Sequence, residues 1–207
     1  AALAERVARI NDLVFERVGL RYTVDAVAVR EKTGDPARFA AAAKKVAGLT
    51  KLVLMLVSED PACLKAALAE TADKKPLLAW ATPATADEVA ALAKASLKDI
   101  VLDTGTRATA AALADLTHSR RQAIKKKFRL LGYPTVAFTT EEDPMAEMMQ
   151  AAVYVAKYAS LVVIRTVERP AVLSLLTWRQ NVFTDPQKPI QVEPKINKVG
   201  DAGSKSP

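Results

Sequence analysis

The stretch that decides the fold is LVLMLVSEDPACLKAALAET, residues 52–71. Its first six residues, Leu52–Val57, are all apolar, and Asp60-Pro61 and an alanine-rich pattern with helical spacing follow them. Short continuous apolar runs are typical of strands buried on both faces, which occur mainly in parallel sheets. Asp before Pro indicates a helix start, because Asp caps free N–H groups and Pro suits the first helical position. The stretch therefore predicts one strand and helix unit of a parallel sheet.

This unit recurs along the chain. Asp35-Pro36 and Asp143-Pro144 repeat the helix start. The predicted strands are Ala26–Arg30, Leu52–Val57, Leu77–Ala81, Ile100–Leu102, Thr135–Phe138 and Leu161–Arg165. Apart from a longer interval before Thr135, the strand starts are about 25 residues apart, which is close to the length of one parallel strand and helix unit. The recurrence predicts an α/β fold.

The glycines favour a barrel over a doubly wound sheet. A dinucleotide-binding doubly wound fold places a glycine-rich turn after its first strand, and this sequence has no GxGxxG or Walker-type motif. We therefore predict a (β/α)8 TIM-barrel type domain over residues 1–182. The barrel is expected to be incomplete, because about six strand and helix units are present where a TIM barrel has eight. A flavodoxin-like strand order remains the alternative.

Residues 183–207 differ from the rest of the chain. They show no periodic pattern, and they contain Pro186, Pro189, Pro194 and Pro207. Because proline interrupts both helices and central strands, we predict an extended Pro-rich arm or linker here.

Composition excludes several classes of protein. Cys63 is the only cysteine, which excludes a disulfide framework and an all-cysteine iron–sulfur or zinc site built from this chain alone. His118 is the only histidine, so a pair of histidine metal ligands is excluded as well. No apolar run approaches the roughly 18 residues of a membrane span. The net charge of +7 favours anionic partners without identifying one, and we expect a cytoplasmic protein.

Residues that follow the predicted strands form the candidate site, because active sites of TIM barrels lie at the carboxyl ends of their strands. The candidates are Ser58, Glu59, Asp60, Thr82, Asp103, Thr104, Gly105, Thr106, Thr139, Thr140, Glu141, Arg165 and Thr166. Asp103 is expected to orient a ligand and Arg165 to hold an anion, with helix capping as the alternative role of such carboxylates. The pattern assigns no catalytic, cofactor-binding or metal-ligating residue.

Single reactive residues are expected to have structural roles. We predict a packed or solvated position for His118 and for Cys63, although the dipole of the helix that begins at Pro61 is able to lower the pKa of the thiol. Met145, Met148 and Met149 follow helical spacing and are expected to fill the core.

The densest cluster of positive charge is HSRRQAIKKKFR, residues 118–129. We place it on a helix with an apolar stripe of Leu116, Ala123, Ile124, Phe128 and Leu131. A solvated helix face is the first interpretation, and a basic interaction module is the alternative. Single-stranded nucleic acid is a poor fit, because aromatic residues are almost absent from the cluster.

Several stretches together resemble the large (gamma) subunit of the corrinoid iron–sulfur protein of the acetyl-CoA synthase/decarbonylase pathway. The most specific is LLTWRQNVFTDPQKPIQVEP, Leu175–Pro194. Supporting stretches are VYVAKYASLVVIRT (Val153–Thr166), AIKKKFRLLGYP (Ala123–Pro134), KPLLAWAT (Lys75–Thr82) and INDLVFERVG (Ile10–Gly19). The similarity extends in order over nearly the whole chain.

The resemblance implies a subunit of three parts: a domain with a 4Fe-4S cluster on cysteines, a central (β/α)8 barrel, and a carboxyl-terminal corrinoid (cobalamin) domain. This chain is similar to the barrel only, so neither cofactor is expected on its own residues. The implied activity is methyl transfer from a methyl-pterin methyltransferase to acetyl-CoA synthase. The barrel is expected to be a scaffold that forms a heterodimer with the small subunit.

The same resemblance addresses the strand count. It implies one more strand and helix at the point where Ala95–Lys98 now joins a helix to a strand, and one strand upstream of Ala1. Two other hypotheses remain open. One is a stand-alone barrel enzyme that binds a pterin or phosphorylated metabolite through Asp103, Thr104, Thr106 and Arg165. The other is the basic interaction module.

Overall fold

Short strands and longer helices alternate through the computed structural model, which describes residues 2–17, 19–93 and 101–183. The helices are α1 (Ala2–Asn11), α2 (Pro36–Leu49), α3 (Pro61–Thr71), α4 (Ala86–Ala93), α5 (Thr109–Lys125), α6 (Pro144–Ala156) and α7 (Arg169–Phe183). The strands are β1 (Val14–Arg17), β2 (Leu20–Thr23), β3 (Ala26–Arg30), β4 (Val53–Val57), β5 (Leu77–Ala79), β6 (Leu102–Asp103), β7 (Thr135–Phe138) and β8 (Leu161–Val163). From β3 onward each strand is followed by a helix, as the sequence unit predicts.

Parallel pairing joins six of these strands into two sheets, in the orders β3-β4-β5 and β6-β7-β8. The register pairs Ala26 with Val53, Met55 with Leu77, Leu102 with Thr135 and Val136 with Leu161. All six predicted strands are therefore present, and four of them differ from the predicted bounds by one or two residues. The predicted start of the fourth, Ile100, lies outside the described residues.

The two sheets face a shared apolar interior. Met55 and Val57 of the first sheet pack in one cluster with Val136 and Phe138 of the second. Leu56, between them in sequence, belongs instead to a cluster with residues of α2 and α3. The continuous apolar run of β4 is thus explained by burial on both of its faces. Strands around a common interior with helices outside agree with the predicted TIM-barrel type.

An antiparallel hairpin, β1–β2, precedes the first parallel strand and was not predicted. Its register aligns Phe15 with Tyr22, and Gly19 in the turn has a φ of +72°. Phe15 and Tyr22 pack against Val172 and Leu176 of α7. The hairpin is short and only one of its faces is buried, so its sequence lacks the apolar run that identifies the interior strands.

Three aspartates cap helices as predicted. The Asp35 carboxylate accepts hydrogen bonds from the amides of Ala37 and Arg38 at 2.9 and 3.2 Å. Asp60 and Asp143 cap α3 and α6 in the same way, and proline is the first residue of each of the three helices. An N-cap of this kind contributes about 1 kcal/mol.

The prediction for the basic helix was wrong in its extent. Helix α5 ends at Lys125, Lys127 has a φ of +54°, and a separate 3-10 turn covers Arg129–Leu131. Because the chain changes direction here, the expected apolar stripe does not form, and Ile124 and Phe128 are 59% and 49% exposed.

The prediction that the methionines fill the core was wrong for two of them. Met145 and Met149 are 61% and 63% exposed, while Glu147 and Tyr154 of the same helix are buried. Helix α6 is rotated so that polar side chains reach the strand ends. Helix α7 extends to Phe183, the first residue of the predicted arm, and residues 184–207 lie outside the described residues.

Candidate functional site

The carboxyl end of β6 carries an ion pair. Both oxygens of Asp103 accept hydrogen bonds from the guanidinium of Arg107 at 2.8 Å. The amide of Gly105 also donates to Asp103 at 2.9 Å, in a turn where Gly105 has a φ of +75°. The two side chains of the pair are only 21% and 31% exposed. Asp103 therefore fixes Arg107 and its own loop.

Two aromatic rings extend this pair into a rim cluster, which we define as Arg30, Trp80, Asp103, Arg107 and Phe138. The rings of Trp80 and Phe138 meet edge to face with centroids 5.5 Å apart. Arg30 lies over Trp80 at 4.4 Å from its centroid, and Arg107 lies over Phe138 at 4.9 Å. The rim cluster thus joins the two sheets by side-chain contacts across the seam between β5 and β6.

Trp80 has two energetically unfavourable features. Its φ of +72° is rare for a bulky residue and costs on the order of 1–3 kcal/mol. Its indole N–H is buried and has no hydrogen-bond partner among the described residues. The contacts with Arg30 and Phe138 are what hold the ring in this position.

Glu147 of α6 organises the ends of β7 and β8. Its carboxylate is buried and accepts hydrogen bonds from the hydroxyl of Thr139 at 2.5 Å and from the amides of Arg165 and Thr166 at 2.7 Å each. A buried carboxylate is stable only when such donors replace water. Glu147 therefore connects one helix to both strand ends.

Gln150, one turn further along α6, connects two loops. Its carbonyl oxygen accepts from the amide of Thr140 at 2.8 Å, and its amide nitrogen donates to the hydroxyls of Thr109 and Tyr154 at 3.0 and 3.1 Å. It is also 3.4 Å from the carbonyl oxygen of Arg107. The loops after β6 and β7 are thereby held in one arrangement.

Most of the predicted rim residues have contacts with the protein itself. Arg165 donates to the carbonyl oxygens of Thr140 and Glu141, and its Nε lies 3.8 Å from Glu147. Thr106 donates to Asp115. Ser58 accepts from the amide of Asp60 at 3.1 Å, and Thr82 and Thr85 share a hydrogen bond of 3.1 Å. No contact between Arg165 and Asp103 is found in the described part of the chain.

Cys63 is a packed residue, as predicted. It is fully buried, and its Sγ lies 3.4 Å from Asp60. Burial, reinforced by the Asp60 carboxylate, raises the pKa of this thiol to about 11. The helix dipole does not lower it, so Cys63 stays protonated near neutral pH. A protonated, buried, single thiol does not suit an iron–sulfur cluster, whose ligands are thiolates.

Neither His118 nor any acidic group forms a metal site in the described ranges. His118 is exposed on α5 and lies 3.4 Å from Gln122. Across residues 2–17, 19–93 and 101–183, no three His, Cys, Asp or Glu side chains are grouped as metal ligands. In the same ranges, no helix has the length and apolar character needed to span a membrane.

Comparison with known proteins identifies the family. Two overlapping segments, residues 1–96 and 86–207, match the family described as CO dehydrogenase/acetyl-CoA synthase delta subunit. The chain belongs to this family. It is 47% identical to the corrinoid/iron-sulfur protein large subunit of Moorella thermoacetica over 99% of this chain and 52% of that protein. It is 32% identical to the acetyl-CoA decarbonylase/synthase complex subunit gamma of Archaeoglobus fulgidus, over 100% of this chain and 52% of that one.

These CO dehydrogenase/acetyl-CoA synthase relatives confirm the resemblance to the large subunit, and the chain spans about half of their length. The alignment with the Moorella protein covers 230 positions against 207 residues here, so that protein has at least 23 additional residues within the matched region. The two family segments overlap at residues 86–96, and the short junction Ala95–Lys98 begins within this overlap. The additional length is close to that of one strand and helix unit.

A solved structure supports the fold. A dihydropteroate synthase of Coxiella burnetii, a TIM barrel, superposes with a TM-score of 0.51 at 11% identity, over 89% of this chain and 85% of that one. At this identity the similarity concerns the fold alone. It agrees with the open barrel formed by the two parallel sheets.

The residues that organise the rim were missed by the sequence analysis. Glu147 and Gln150 lie in a segment that we interpreted as a core helix. Arg30 and Trp80 lie within predicted strands and Arg107 follows one, and the three form no motif. The available signal was spacing: Glu147, Gln150 and Tyr154 share one face of α6. Polar residues at core positions indicate a buried hydrogen-bond network.

Proposed function

We propose that the chain is the central scaffold barrel of a corrinoid iron–sulfur methyl carrier. In the whole protein the carrier takes a methyl group from a methyl-pterin methyltransferase and passes it to acetyl-CoA synthase in the cytoplasm. The barrel contributes by pairing with the small subunit and by supporting the parts that hold the corrinoid and the 4Fe-4S cluster. The observation that carries the proposal is the 47% identity to the Moorella large subunit over 99% of the chain.

The contacts of the rim support a scaffold role. Asp103 and Arg107 neutralise each other, and Glu147 is saturated by donors from its own chain. Side chains engaged in this way stabilise loops and have few free atoms for a substrate. Where a cofactor carries the chemistry, a scaffold domain needs only to bind and orient the neighbouring parts of the protein.

The experiment uses the whole protein purified with its small subunit. Corrinoid absorbance, cobalt per protein and the rate of methyl transfer from a methyl-pterin are measured for wild type, Asp103→Asn and the exposed control Glu142→Gln. A scaffold predicts that Asp103→Asn lowers the yield of complex while the transfer rate per bound cobalt stays within about twofold. A large loss of that rate at unchanged cobalt content contradicts the proposal and favours a rim site.

The rim-site alternative has one supporting observation. Arg30 forms no ion pair in the described part of the chain, and it lies beside the unpartnered N–H of Trp80. An anionic ligand would supply acceptors for both groups. Binding of methyltetrahydrofolate or of a sugar phosphate to the whole protein, lost in Arg30→Gln, supports this alternative. Equal binding by both forms removes it.

The basic-module alternative is favoured by the exposed end of α5. Arg120, Arg121, Lys125, Lys126, Lys127 and Arg129 form no ion pair among the described residues, and Ile124 and Phe128 are exposed beside them. If the cluster binds a polyanion, its affinity for a DNA duplex falls steeply as the salt concentration rises. Replacement of three of the lysines by glutamine then reduces the slope of log affinity against log salt concentration by about 3. No binding at low salt removes this alternative.

A further inference from the structure

Helix α6 exposes only apolar side chains. Its polar residues are Glu147, Gln150 and Tyr154, and all three are buried. The structure describes this helix over its whole length, so every side chain of α6 that reaches the surface is apolar. The outer surfaces of α2 and α3, by comparison, carry the exposed Lys44 and Lys65. Because a helix that is apolar on all sides is normally covered by other protein, we expect a segment or partner to lie on α6.

Helix α7 extends this apolar surface. The indole N–H of Trp178 donates to the carbonyl oxygen of Ala152 at 3.1 Å, so the exposed ring lies against α6. Val182, one turn further along α7, is also exposed. We define the α6 face by its members, which are Met145, Met149, Ala152, Trp178 and Val182. Since the indole N–H is already bonded, these side chains offer an occupant apolar contacts only.

Helices α6 and α7 run in the same direction. Near their starts, the amide of Thr166, which precedes α7, donates to Glu147 of α6. Near their ends, Trp178 contacts Ala152. The chain therefore leaves α7 at Phe183, beside the end of α6. A segment that continues from this point is able to turn back along the α6 face.

The sequence that follows α7 is suited to such a surface. Its first part, TDPQKPIQVEP, residues 184–194, contains a PxxP pattern at Pro186 and Pro189. A polyproline II helix has three residues per turn, which would place Pro186, Pro189 and Val192 on one side and the polar residues between them in water. Segments of this kind bind apolar surfaces that present aromatic side chains.

The lengths of the segment and the face agree. From Pro186 to Val192 a polyproline II helix is about 19 Å long, at about 3.1 Å per residue. From Ala156 to Met145 helix α6 is about 17 Å long, at about 1.5 Å per residue. The three residues from Phe183 to Pro186 reach about 10 Å, which is close to the distance between the axes of two packed helices.

We propose that residues 184–194 dock on the α6 face as a polyproline II segment, with Pro189 against Trp178 and Val192 toward Met145. The proposal goes beyond the scaffold role and does not depend on it. The segment is favoured over a separate subunit or a second copy because it is attached at the edge of the face, at an effective concentration on the order of millimolar. Docking leads the chain back to the edge where the carboxyl ends of the strands lie.

Photo-cross-linking in the whole protein, purified with its small subunit, tests the proposal. Met149 is replaced by p-benzoylphenylalanine, labelled and unlabelled large subunits are mixed, and cross-linked peptides are identified by mass spectrometry. We expect a cross-link to residues 184–194 within the same molecule. The same probe at Ile124, which is exposed on α5, is the control and should not reach this segment. A cross-link from position 149 to the small subunit or to a second copy, or no cross-link, overturns the proposal.

Oxidation of Met149 by hydrogen peroxide gives a second measurement. A segment docked about nine-tenths of the time makes this oxidation about tenfold slower in wild type than in the triple variant Pro186→Gly, Pro189→Gly, Val192→Gly. Met55, buried in the core, is the internal control and should react slowly in both proteins. Equal rates at Met149 in the two proteins overturn the proposal, whether the side chain is open to solvent or covered by another subunit.

Discussion

The carboxylate of Glu147 accepts a hydrogen bond of 2.7 Å from the backbone amide of Arg165, which lies 18 residues further along the chain. With the second bond from Thr166, each carboxylate oxygen is matched to one amide donor. Helix α6 and the end of β8 are thereby held together by a single buried side chain. Once water is excluded, these two backbone N–H groups need an acceptor within the protein, and Glu147 provides it.

Glu147→Gln tests how much the hydrogen bonds of this carboxylate contribute to the free energy of unfolding. The amide group has one oxygen and one NH2, so one backbone N–H would face another donor, and the charge-assisted bonds are lost. We expect the free energy of unfolding to fall by about 2–3 kcal/mol, measured by urea denaturation with circular dichroism. Glu142→Gln, in the loop before α6, is the control: its side chain is 94% exposed and lies 4.0 Å from the Arg165 guanidinium, so the change should be less than about 0.5 kcal/mol. Similar values for the two variants would show that the bonds are dispensable.

The pair Asp103–Arg107 is suited to a double-mutant cycle. Both side chains are mostly buried, and their two hydrogen bonds are bidentate. We expect a coupling free energy of about 1–3 kcal/mol between Asp103→Ala and Arg107→Ala. The exposed pair Arg9–Glu168, at 3.0 Å, provides the comparison and should couple by less than about 1 kcal/mol. Equal coupling in the two pairs would contradict the assigned role of the rim cluster.

Helix α5 lacks the side-chain cap that α2, α3 and α6 have. Its N-cap residue, Ala108, has extended backbone angles and no side-chain acceptor. Ala108→Ser is expected to raise the free energy of unfolding by about 0.5–1 kcal/mol, because Ser can accept from a free amide of the first turn. Asp143→Ala is expected to lower it by about 1 kcal/mol, since it removes such an acceptor from α6. Thermal denaturation of both variants measures the two effects, and a shift of the same sign in both would refute the explanation.

Cys63 links stability to alkaline pH. The folded state raises the pKa of the thiol to about 11 from an ordinary value of 9.0. The folded chain therefore keeps its proton where the unfolded chain loses it, and this contribution to stability, complete below pH 9, is lost as the pH rises toward 11. We expect the stability difference between wild type and Cys63→Ala to narrow from pH 8 to pH 10.5. Iodoacetamide should modify Cys63 readily in urea and very slowly in the native protein at pH 8.

The parts of the fold that follow from local patterns were predictable. The apolar run of β4 and the aspartate caps at Asp35, Asp60 and Asp143 determine their own structure, because burial on both faces and N–H capping are local requirements. The hairpin β1–β2 was not predictable in this way. Its two strands are stabilised by α7, which lies more than 140 residues away in sequence.

The sequence predicted that Asp103 and Arg165 follow or end strands, but it did not predict which residues they contact. Asp103 and Arg165 do lie at strand ends, yet their partners are set by the rotation of α6 and by loop geometry. The end of α5 is a further example. Lys127 has a left-handed backbone that ends the helix, and no glycine in the sequence indicates this end. Long-range packing, which a single sequence does not display, determines these features.

The division of the parallel strands into two groups of three has an evolutionary consequence. The first half has its own helix-side cluster, which includes Val27 and Leu64, and the second has another, which includes Leu116 and Tyr154. Recombination between related genes near residues 94–100 would exchange one half for another and would break two sets of contacts, the inner cluster around Phe138 and the packing of the β1–β2 hairpin against α7. A chimaera of two homologues joined there retains both helix-side clusters, so its two halves need to match only at the inner cluster and at the contacts of α1 and the hairpin with the second half.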